Sequence, residues 1–81
     1  MPTQYVSPQD MKQVDQVVAQ CAALMIGRNN PEVRFDPAAH LIEFEFGTKR
    51  TVIVVMLDEM TPFDRLITEQ NFVENFEPKI V

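Results

Sequence analysis

The sequence predicts an α+β fold: a long N-terminal helix packed on a three-stranded antiparallel meander, then a C-terminal helical segment, in the order α-β-β-β-α. Met11, Val14, Val18, Cys21, Leu24 and Met25 recur at three- and four-residue steps, the period of an amphipathic helix. Ile42, Phe44 and Phe46 alternate with Leu41, Glu43 and Glu45, the period of a half-buried strand. The stretch Thr51–Leu57 carries no charge and is rich in β-branched side chains, which fits a strand by composition and by length.

Taken in order, residues 1–6 read as a short lead-in. Ser7 is placed to cap the first helix, with Pro8 at its first position and Asp10 where a capping box or the helix dipole favours an acid. The apolar positions continue for about five turns. Gly27 is the natural residue just past the end, and Arg28 lies near the negative end of the dipole. Asn29, Asn30 and Pro31 form a loop, and Glu32–Asp36 is a short strand. Asp36–Ala39 is a turn with Pro37 in its second position, and His40–Phe46 is the alternating strand. Gly47–Arg50 is a hairpin turn, after which Thr51–Leu57 completes the meander.

Thr61 and Pro62 repeat the cap-plus-proline signal, and Phe63, Leu66 and Ile67 have helical spacing. Phe72, Val73 and Phe76 extend it, while Thr68 and Asn71 could divide it into two pieces; Pro78 marks an end and Lys79–Val81 a tail. With no internal repeat or linker, residues 1–81 read as a single domain.

Thr51–Leu57 is apolar on both faces, so both need cover from the chain itself or from a partner. The reading places Val52, Val54 and Met56 in the core and Ile53, Val55 and Leu57 on the outer face with Leu41, Glu43 and Glu45. On that assignment Val54→Asp unfolds the domain, and Ile53→Asp is tolerated unless a partner covers it.

The 81 residues carry seven Lys+Arg against twelve Asp+Glu, a net charge of −5. That balance disfavours a nucleic-acid or anionic-membrane binder, and Lys49 with Arg50 is too small a basic spot to reverse it. Cys21 is the only cysteine, which excludes an internal disulfide and a cysteine-based zinc site. No apolar run reaches the roughly 20 residues of a membrane helix, and the first residues lack the pattern of a secretory leader, so a cytoplasmic protein is expected.

Chemistry is sparse. His40 is the only histidine and stands beside a turn; Cys21 falls on the apolar helix face, with no cation near it in sequence to activate the thiol. Glu43 and Glu45 share a strand face and could act as a carboxylate pair, but the solvated side of an amphipathic strand explains them more simply. Two glycines, at 27 and 47, rule out the common glycine-rich nucleotide loops. No metal spacing or cofactor motif is present.

The function expected is a small acidic, non-enzymatic protein-interaction module (an adaptor, chaperone or inhibitor) that binds through an apolar sheet face or edge. Leu41, Ile53, Val55, Leu57 and Met60 would supply the apolar contacts, with Glu43 and Glu45 as rim charges. The partner is another protein or a second copy of the chain in a homodimer. The alternative is a small enzyme or ligand-binding domain with a helix–sheet pocket near His40.

Overall fold

The computed structural model describes residues 3–25, 32–46 and 51–81. Along these residues the elements are β1 (Thr3–Val6), α1 (Met11–Met25), β2 (Glu32–Asp36), β3 (Leu41–Phe46), β4 (Thr51–Met56), α2 (Pro62–Phe76) and β5 (Lys79–Ile80). This is a small α+β fold with two helices and a five-stranded mixed sheet, ordered β1-β4-β3-β2-β5.

The expected meander forms the centre of that sheet: β2 pairs antiparallel with β3, and β3 with β4. The edges correct the expected α-β-β-β-α order. Thr3–Val6, read as a lead-in, pairs in parallel with β4; Lys79–Ile80, read as a tail, pairs in parallel with β2. Elements of four and two residues are too short to show a period of their own and are defined by the strand they meet.

The helices differ in how well their starts were legible. α1 is capped by Asp10, not Ser7: Asp10 Oδ1 accepts the Gln13 N–H at 2.8 Å, and Gln13 Oε1 accepts the Gln9 N–H at 2.7 Å. Pro8 is buried ahead of the helix, in the segment that turns the chain off the sheet. α2 begins as its sequence signals, with the Thr61 hydroxyl accepting the Asp64 N–H at 3.3 Å and Pro62 following. It runs unbroken through Thr68 and Asn71 to a left-handed cap at Glu77 (φ 45°). Thr68 and Phe72 are both buried on its inner side, so packing overrides a weak local preference against helix. The expected Gly27 cap, the 29–31 loop and the 47–50 hairpin turn lie outside the described residues.

Register decides which side of each strand is core. Phe44 pairs with Val33 on one side and Ile53 on the other, and Ile42 pairs with Phe35 and Val55. Paired residues share a face, and this face carries both helices: Val14, Val17, Cys21 and Phe72 join the same buried cluster. Ile53, Val55, Leu57 and Met60 are therefore core residues, at most 3% exposed. The expected assignment of β4 is reversed, because a shift of one residue exchanges every side chain between faces. Val52, Val54 and Met56 stand on the other side, opposite Glu45, Glu43 and Leu41.

The tolerance expected for Ile53→Asp is lost, while Val54, 6% exposed, remains a buried position on the other side of the sheet. Ile53→Asp should abolish cooperative urea unfolding monitored by circular dichroism, and Ile53→Ala should cost about 2–4 kcal/mol. Val52→Lys, at a half-buried position, should keep a cooperative transition, since its new ammonium reaches water beside Glu45 across the strand pair.

Candidate functional site

Both helices pack on one side of the sheet, and no described element covers the other. The side chains on this open face are fixed by the ladder. One row across the strands reads Tyr5, Val54, Glu43, Arg34, Lys79, and the next reads Thr3, Val52, Glu45, Glu32. A third reads Met56, Leu41, Asp36. The face is thus divided: apolar over β1 and β4, ionic over β2 and β5, with β3 as the border.

The ionic half is built around Arg34. Its Nε donates to Glu43 Oε2 at 3.1 Å and its Nη1 to Glu45 Oε2 at 3.2 Å, with Glu32 Oε2 at 3.3 Å from Nη1. Partial burial of the guanidinium disfavours its charge, but the hydrogen bonds it donates to Glu43 and Glu45, with the charges of Glu43 and Glu32, outweigh that and raise its pKa. Lys79 Nζ donates to Glu32 Oε1 at 3.0 Å, and that bond holds the Glu32 carboxyl below its ordinary 4.5. Glu43 and Glu45, weighed above as a possible catalytic or metal-binding pair, are bound to a cation of their own chain. Among the described residues no group of three or more His, Cys, Asp or Glu side chains is arranged to hold a metal ion.

The apolar half consists of Tyr5, 67% exposed, with Val52, Met56 and Leu41 half-buried around Val54. Of the residues expected to bind a partner, Leu41, Glu43 and Glu45 are on this face. Ile53, Val55, Leu57 and Met60 are on the opposite side, in the core. The residues the reading missed here are Tyr5, Val52, Val54, Met56 and Arg34. A signal for the β4 residues existed: Phe46 pairs with Thr51, with four residues of sequence between them, and that parity sets Ile53 opposite Phe44.

His40 and Cys21 do not meet the requirements of a nucleophilic site. Asp36 Oδ1 accepts the N–H groups of Ala38 and Ala39, and the turn delivers His40 with φ 55°, a left-handed conformation that histidine adopts more readily than most side chains. Its Nδ1 lies 2.9 Å from Glu69 Oε1 on α2, and the pair ties the turn to the helix. Cys21 is 1% exposed, and burial raises its pKa from 9.0 to about 11, leaving a protonated, inert thiol at neutral pH. No described helix is long and apolar enough to cross a membrane.

Two outcomes test this geometry. Arg34→Ala leaves three carboxylates adjacent with their shared cation gone; it should cost about 1–3 kcal/mol in urea unfolding at low salt, part of which added salt restores. A group whose folded pKa is raised stabilises fully below its unfolded pKa and loses that contribution as pH climbs to the folded value. For Cys21 the window runs from 9.0 to about 11. Stability should fall across it by on the order of 2–3 kcal/mol, and Cys21→Ala should remove that part of the fall.

Compared with known proteins, the chain matches no family model, no curated protein and no solved structure. What the face does has to be argued from its own side chains.

Proposed function

We propose that this protein is a small non-enzymatic interaction module that docks another protein on the open face of its sheet. The observation that supports the reading is the placement of both helices on one side, which leaves Tyr5 exposed and Leu41, Val52 and Met56 half-buried around a buried Val54, with no described element over them. An apolar patch beside a charged border has the composition of a protein-binding surface, with an apolar centre and a polar rim. The rim charges are already paired through Arg34 and Lys79, so a partner approaching them does not strand a lone buried charge. A second copy of the chain, laid face to face, would use the same apolar residues.

The enzyme alternative has less behind it. His40 is engaged by Glu69, Cys21 is a buried thiol, and the Glu43–Glu45 pair is engaged by Arg34.

The reading is tested with a double substitution, Val52→Lys with Met56→Lys, at two half-buried positions of the open face. Tagged wild-type protein incubated in its native lysate should retain one partner at stoichiometric amount, and the double variant should lose it. If the occupant is a second copy, light scattering on the purified protein should give a dimer that the variant dissolves. Two monomers that retain nothing would overturn the proposal, provided both keep the same thermal transition.

A further inference from the structure

A second uncovered surface lies on the helical side, at the far edge of the sheet. α2 stands over β3 and β2: Phe72 and Phe76 meet Phe44 with ring centroids 5.7 and 5.4 Å apart, and Leu66 and Val73 border a groove floored by Phe35 of β2. α1 lies on the other side of α2, reaching it through Val14 and Val18 across from Thr68 and Phe72. No described helix stands over β5. Ile80 pairs in register with Phe35 and so shares its face, yet is 61% exposed.

Along the outer side of α2, Phe63, Leu66 and Val73 are 70%, 54% and 41% exposed. With Ile80 they make up four of the seven large hydrophobic side chains exposed among the described residues. Between Leu66, Val73 and Phe35 runs the groove, of about 420 Å³. Its polar lining is Glu69, which also meets His40, with Gln70 and Glu74, and no cationic side chain among the described residues.

We propose that this groove receives a cationic amphipathic helix from a partner protein, which would lie beside α2 as the third helix of the layer. The inference is separate from the open-face reading and stands on different residues. The dimensions suit a helix: the groove runs along α2 from Leu66 to Glu74, eight steps or about 12 Å, a little over two turns of a partner lying alongside. A strand is the poorer fit, because the floor is made of side chains and β5 already pairs with the backbone of β2 at Arg34 and Phe35. The sign of the partner's charge follows from the walls. Glu69 and Glu74 flank an apolar floor, and Lys or Arg beside an apolar stripe is the complement.

The test uses a synthetic peptide of about 14 residues, with leucines at three- and four-residue steps and lysines elsewhere, and a second peptide with glutamate in place of every lysine. Titrated into isotope-labelled protein, the lysine peptide should shift the backbone amides of Leu66, Gln70, Val73, Glu74 and Ile80 and leave those of Tyr5 and Val54 in place. The glutamate peptide should shift none of them. Leu66→Lys with Val73→Lys, both at exposed positions, should weaken the lysine peptide about tenfold or more while the spectrum stays dispersed. Shifts on the open face, shifts spread over the whole acidic surface, equal binding of the two peptides, or no binding would each overturn the proposal. So would a dimer of the free protein dissolved by the double variant, since the groove would then belong to a second copy.

Discussion

The register between β3 and β4 is the constraint on which the rest depends. With Phe46 opposite Thr51, Phe44 comes opposite Ile53, and the helical side of the sheet acquires Ile42, Phe44, Phe46, Ile53 and Val55 together. Phe44 sits at the focus of this surface, stacked on Phe46 and meeting Phe72 and Phe76 from α2. Burying such side chains contributes about 1.5–3 kcal/mol each, a large share of what a chain of this size can gain. A slip of one residue would bring Glu43 and Glu45 under the helices and send Phe44 to water, so the helices can pack on one side only.

That same register explains where the sequence was readable. β3 alternates cleanly because one of its faces is ionic, and its inward residues were evident from their spacing alone. β4 is apolar on both sides, so its pattern holds no information about direction; only its pairing parity with β3 does. Leu41, Glu43 and Glu45 were therefore placed on the open face correctly, while Ile53, Val55 and Leu57 were exchanged with Val52, Val54 and Met56. Met60 followed the same error for a different reason. It was taken for a loop residue, but the Met60 N–H bonds the Leu57 carbonyl at 3.2 Å, and that tight turn folds the side chain into the core. The α2 start was legible because Thr61 and Pro62 act within one turn of each other. The edge strands were not, because parallel pairing with a distant segment leaves no local mark.

Arg34 shows how a long-range arrangement gives meaning to residues that look unremarkable singly. In sequence it is one cation in a short strand, and Glu43 and Glu45 are ordinary solvent-facing acids. Antiparallel pairing with β3 sets Arg34 directly opposite Glu43, with Glu45 two residues along on the same face. The resulting cluster takes up both carboxylates, and this, more than any lack of acids, weighs against acid–base chemistry on the face. It also fixes the boundary of the apolar patch: β3 contributes its acids to Arg34, and what remains toward β1 is Leu41 and the uncharged row of β4.

The two uncovered surfaces lie on opposite sides of the sheet and meet at β5. Adjacent residues of that strand serve different faces: Lys79 joins the ionic half of the open face, and Ile80 shares the helical-side face with its pair Phe35. The strand is held by two ladder positions, by the Val81 N–H on the Phe35 carbonyl at 2.9 Å, and by an exposed ion pair of the kind that adds little stability. A two-residue strand cannot by itself shield the apolar side of β2 as a longer one would, and this is why Ile80 and the outer side of α2 remain open. The narrow edge that keeps so small a sheet from growing further also leaves it with surface that another helix can cover.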